Sequence, residues 1–182
     1  FILNGSIKHF DTKLNDWKTL KAGDAQIIRS GNGISHSEFM AKDAVMFQIW
    51  LDPNLDKTLS QEASYNDYYA EDFKVIKTNG IARKIYAGEE GLMYLDSPGV
   101  QIEEWTLLEG HFNYTNTQGE LLSIYNLGSD MKMNGQTFAA HSFAIIENNE
   151  SILLERDGEG RLFVIKSPKE LTYNTYSQRL MS

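Results

Sequence analysis

The chain has 182 residues, with 25 acidic against 17 basic side chains, a net charge of −8 and no cysteine. That balance repels phosphate backbones and anionic lipid, which disfavours direct nucleic-acid or membrane binding. The missing thiols exclude disulfide scaffolds, cysteine-type zinc centres and thiol nucleophiles.

No apolar run approaches the roughly 18 residues that cross a bilayer, and no basic-then-apolar leader is visible, so the expected location is cytoplasmic. The chain opens on Phe1-Ile2-Leu3 rather than Met, as if inside a strand, and is expected to be a fragment. Short runs of Val, Ile, Phe and Tyr, together with Asn4-Gly5, Asn32-Gly33, Asn79-Gly80 and Asn134-Gly135, predict a mostly β chain rich in tight turns. Strands are expected over residues 1–3, 6–10, 25–28, 34–39 and 44–51. The last has the clearest period of two, with Val45, Phe47, Ile49 and Leu51 on one face and Met46, Gln48 and Trp50 on the other. Burying that row of four is worth on the order of 6 to 12 kcal/mol, so it is expected to be covered by more polypeptide, another chain or the second domain.

Residues 56–72 read as a linker, with a short helical turn at Ser60 to Ala63 and tyrosines interleaved with acids, read as rings packed between two domains. From residue 73 the β texture resumes: strands are expected over 74–77, 81–86, 93–95, 100–108, 111–115, 121–127, 137–147, 151–155 and 162–166, ahead of a polar tail. The domains are therefore expected at 1–55 and 73–182.

An internal comparison links the two halves. Ala22-Gly23-Asp24-Ala25-Gln26-Ile27-Ile28 aligns with Ala140-His141-Ser142-Phe143-Ala144-Ile145-Ile146, and Gly5-Ser6 aligns with Gly128-Ser129 across a loop of different length. Their shared order indicates two copies of one β unit. Copy two has about fifty residues ahead of Gly128 with no counterpart ahead of Gly5, so half of the first barrel is expected to be missing.

The candidate chemistry sits in Asn32-Gly33-Ile34-Ser35-His36-Ser37-Glu38. On a strand, residues two apart share a face, so His36 and Glu38 present an imidazole and a carboxylate side by side. Taken alone, such a pair is more often a polar patch in solvent. The pair follows Leu20-Lys21-Ala22-Gly23-Asp24-Ala25-Gln26-Ile27-Ile28 and precedes Met46-Phe47-Gln48-Ile49-Trp50-Leu51-Asp52, and this ordered set resembles the pirin family of two-cupin proteins.

The resemblance implies an all-β fold of two cupin (jelly-roll) units in tandem, the first incomplete. It also implies that His36 and Glu38 are two of four protein ligands to Fe(II) or another divalent transition metal. The family's other two ligands form an upstream His-x-His, which this chain lacks, so the chain as given is expected to bind metal weakly or not at all. The implied activity is that of a quercetin 2,3-dioxygenase, an oxidoreductase opening a flavonol ring, with Glu38 as ligand and proton acceptor. The competing reading is a non-enzymatic cupin that binds a small molecule or a protein, with a vestigial metal site; a protein partner or self-association would cover the open first barrel. In the repeat, Leu154 and Arg156 fall opposite His36 and Glu38, so the second unit is expected to hold no metal.

The other candidates are weaker. His9, in Lys8-His9-Phe10-Asp11, reads as a turn histidine bonded near Asp11; His111 and His141 have no partner at ligand spacing. The adjacent acids Glu103 and Glu104 point to opposite faces of a strand and are expected to be solvated. No nucleophile elbow or phosphate loop is present.

Overall fold

The computed structural model describes all residues except 79, 109, 148–150 and 182. Its strands are β1 Ile2–Asn4, β2 Ser6–Asp11, β3 Trp17–Lys21, β4 Ala25–Arg29, β5 His36–Met40, β6 Val45–Met46, β7 Ser64–Tyr68, β8 Lys74–Thr78 and β9 Ile81–Ala87. They continue as β10 Gln101–Leu107, β11 Gly110–Thr115, β12 Glu120–Asn126, β13 Met131–Met133, β14 Gln136–Phe138, β15 Phe143–Glu147, β16 Ser151–Arg156 and β17 Gly160–Pro168. The α-helices are α1 Leu55–Thr58 and α2 Tyr176–Leu180, and a single 3-10 turn spans Ala70–Asp72. The fold is all-β, and among the described residues no helix is long and apolar enough to cross a membrane.

Two compact units emerge: Phe1–Asp72 with Tyr173–Ser182, and Phe73–Thr172. In the second, a six-stranded antiparallel sheet ordered β15-β12-β17-β10-β9-β8 encloses a core with the four-stranded sheet β11-β16-β13-β14. Alternation supplies that core: Leu122 and Ile124 from β12, Leu162 and Val164 from β17 and Trp105 from β10 meet Ile152 and Leu154 from β16. Asn134 (φ 51°) and Gly135 (φ 75°) make the two-residue turn between β13 and β14, as an Asn-Gly step should.

The first unit is built from β3-β2-β5, β1-β6 and β4-β7. It reproduces the second in order: the hairpin β2-β3 with β5 beside β2 corresponds to the hairpin β13-β14 with β16 beside β13, and the pair β1-β6 corresponds to β12-β17. In the second unit β16 also pairs with β11 on its far edge, whereas β5 is an edge strand.

Several elements depart from the expected ones. The strand expected over 44–51 shrinks to Val45–Met46, because its partner β1 has only three residues and alternation without a neighbouring strand forms no ladder. Its apolar row is not sealed either: Val45 is 48% exposed and Trp50, on the other side, 88%. The single strand expected over 137–147 breaks at His141 (φ 60°), where the Ser142 amide donates to Ala139 O. The stretch 56–72, expected as a linker, contains β7, whose tyrosines pair in register with β4. The helical turn expected at Ser60 lies earlier, where Asn54 caps α1 through the amide of Asp56. The tail, grouped by sequence with residues 73–182, belongs with the first unit: Tyr173 donates to Asp52 O at 2.8 Å, and Arg179 pairs with Asp56. There Thr175 and Gln178 form a capping box that starts α2.

Candidate metal centre

Antiparallel pairing of β2 with β5 sets His9 opposite Glu38 and Asp11 opposite His36. Directly opposed residues share a face, so two imidazoles and two carboxylates form a square on one side of this ladder. Burial divides them sharply. His9 and Asp11 are 1% and 0% exposed, while every residue of β5 is exposed.

The imidazoles of His9 and His36, diagonal in the square, stack with centroids 5.6 Å apart and planes 24° apart. His9 Nε2 lies 3.2 Å from Asp11 Oδ2; the carboxylate can only accept, so Nε2 carries the proton. The other Asp11 oxygen accepts the amides of Lys13 and Leu14 at 2.8 and 2.7 Å, which anchors the carboxylate in the turn after β2. His36 Nε2 lies 3.3 Å from the Gln48 side-chain amide.

These donors suit a divalent transition metal in kind: an imidazole lone pair and a carboxylate on one face of one strand. In number they fall short. Among the described residues no group of three or more His, Cys, Asp or Glu side chains is arranged to hold a metal ion. His9 points its proton at Asp11 and stacks on His36 rather than converging with it.

Residues 1–51, which contain this whole square, match the sequence model of the Pirin family. Over that stretch the chain resembles the pirin family. Pirin-like protein 2 of Arabidopsis thaliana is 28% identical, over 80% of this chain and 48% of its own. The chain spans about half the length of the curated pirins it matches. Among solved structures, quercetin 2,3-dioxygenase from Acinetobacter baumannii superposes with a TM-score of 0.78 at 19% identity, over 100% of this chain and 70% of that one. The bacterial pirin YhhW from Escherichia coli, in complex with nickel(II), superposes with a TM-score of 0.72 at 18% identity, over 92% and 70%. At these identities the likeness establishes the cupin fold of this chain.

The remaining sequence candidates fall elsewhere. His111 and His141 are exposed in the second unit, His141 lying 6.3 Å from the Tyr125 ring. Glu103 and Glu104 do face opposite ways, but neither is simply solvated. Glu104 accepts Arg161 at 2.8 Å and the Tyr86 hydroxyl at 3.2 Å. Glu103 is 2% exposed inside the second unit and accepts Arg83 at 2.5 and 2.7 Å, the Trp105 indole at 2.6 Å and Lys166 at 3.5 Å. Sequence reasoning missed this network because Arg83, Glu103 and Lys166 come from three strands whose register no local pattern discloses.

Proposed function

We propose that this chain is part of a pirin-type, metal-dependent oxidoreductase of the quercetin 2,3-dioxygenase kind, with His36 and Glu38 as two ligands to Fe(II) or another divalent transition metal. The observation that carries the reading is the pairing of His36 and Glu38 on one face of β5. The missing ligands would come from a strand on the open edge of β5, added as β11 is added to β16. A metal held there supplies a Lewis acid with open positions for a flavonolate and dioxygen. His36 would release its Gln48 contact to bind; Glu38 would bind through one oxygen and take the flavonol hydroxyl proton on the other. The source of that strand, more of this polypeptide or a second protein, is also what would cover Phe39 and Met40, which are 62% and 45% exposed.

Metal analysis and a quercetin-loss assay under air test the reading, on this chain and on a form carrying an upstream His-x-His segment, with His36→Ala as control. The short form is expected to bind metal weakly and leave quercetin intact; the long form is expected to bind it and lose it on His36→Ala. A long form whose metal content ignores His36→Ala would overturn the assignment.

A further inference from the structure

The His9–Asp11 pair is the least accessible polar group near the candidate centre, and the proposed ligand set does not use it. His9 has its Nε2 proton committed to Asp11, while its Nδ1 is buried and has no hydrogen-bond partner among the described residues. Burying a polar atom with nothing to bond to is costly, so a site that only needed to fill space would be served better by an apolar side chain. What the imidazole does provide is a flat surface in one fixed orientation. Asp11, itself pinned by two backbone amides, holds the ring at one end, and the fixed face lies against His36 at 5.6 Å and 24°. His36, by contrast, sits on an exposed edge strand, where an unsupported imidazole would sample several rotamers.

We propose that the buried His9–Asp11 pair is the positioning element of the centre: its stacked face selects one rotamer of His36 on the exposed strand β5. His9 is thus a positioning residue rather than a ligand. The turn after β2, which reads in sequence as a local feature, orients the ligand through Asp11 and His9 in series. This inference rests on His36 being a metal ligand, but its first readout needs no metal.

The test uses ring-nitrogen NMR of the full chain at one fixed pH, followed by Ni(II) titration monitored at the His36 ring. In the parent, His36 is expected as a single ring species held in one orientation against His9. In His9→Ala its ring signals should shift and average over several ring orientations, and Ni(II) affinity should fall about tenfold, the lower end for groups that orient a metal ligand. Because alanine leaves a cavity, His9→Phe is the second variant: it keeps a buried flat ring, and restoration of the single His36 species and of Ni(II) affinity is expected. Asp11→Asn, with its weaker hold on His9, should lie between His9→Ala and the parent. A folded His9→Ala or Asp11→Asn whose His36 signals match the parent would overturn the positioning role, whatever Ni(II) does. If no form binds Ni(II) at His36 while the ring signals respond as expected, the ligand assignment fails and the positioning stands.

Discussion

Glu103→Gln is the most direct probe of what holds the second unit together. The wild-type carboxylate takes four donors: Arg83 Nε and Nη2 at 2.7 and 2.5 Å, the Trp105 indole at 2.6 Å and Lys166 Nζ at 3.5 Å. Glutamine keeps the volume but replaces one accepting oxygen with an N–H₂ that faces donors, and removes the charge that balances two cations. Stripping one partner from a buried ion pair costs about 3 to 5 kcal/mol. The Arg83 side chain is 30% exposed and regains water, whereas that of Lys166 is 10% exposed and keeps only the faces of Tyr114 and Trp105, so the lower end, about 3 kcal/mol, is expected.

Urea unfolding followed at the β10, β12 and β17 amides reads that loss. The pH dependence gives a second reading. Burial raises the Glu103 carboxyl, but the bonds from Arg83 and Trp105 and the charges of Lys166 and Arg83 outweigh it, leaving the folded value below the ordinary 4.5. A carboxyl depressed on folding contributes stability that is present above its unfolded pKa and is lost as pH falls through the folded one. The parent should therefore lose its advantage over Glu103→Gln below about pH 4.5. A gap under 1 kcal/mol at pH 7, or one that persists unchanged in acid, would refute this account.

Asn126 is fully buried; its side chain donates to the carbonyls of Ser129, Phe138 and Ala139, each at 3.0 Å, and accepts the Gly128 amide. Asn126→Ala is expected to cost about 3 kcal/mol by leaving carbonyls unpaired, read by thermal unfolding of the second unit. Gly31 has φ +47°, and an added Cβ would lie 2.4 Å from Gln61 O, so Gly31→Ala should displace the 61–63 backbone and destabilise the first unit by more than about 1 kcal/mol in hydrogen exchange. His36→Ala, on an exposed strand, should change stability by no more than about 0.5 kcal/mol in urea while abolishing any Ni(II) response at β5.

Much of the β architecture is legible because alternation and Asn-Gly steps are local signals, and the repeat is legible because both copies keep the same turn chemistry around Asp24 and Ser142. The strand over 44–51 fails for a complementary reason. Alternation reports which face a strand would bury, not whether a neighbour exists to pair with it, and β1 offers too short a neighbour. His36 and Glu38 are legible as a pair because both lie on one strand, two residues apart. Their link to His9 and Asp11 crosses from β2 to β5 and depends on register, which spacing along the chain does not encode.

The repeat also shows how one backbone plan serves two ends. Where the first unit carries His36 and Glu38 on an exposed strand, the aligned positions of the second carry Leu154, 1% exposed within the core, and Arg156, which donates to the carbonyls of Ser129, Asp130 and Glu159. Leu154 lies opposite Phe112 on β11, so apolar packing fills the space between β16 and its neighbouring strand. Placing a hydrogen-bonding imidazole at Leu154 would bury a polar atom with no partner, at about 1 to 3 kcal/mol. The same imidazole on β5 faces solvent on one side and the ring of His9 on the other, and bears no such penalty. Leu154→His in the second unit should therefore destabilise it by at least that amount in urea, whereas Glu38→Leu in the first should leave its stability within about 0.5 kcal/mol. Equal effects at the two positions would mean that edge exposure is not what separates them.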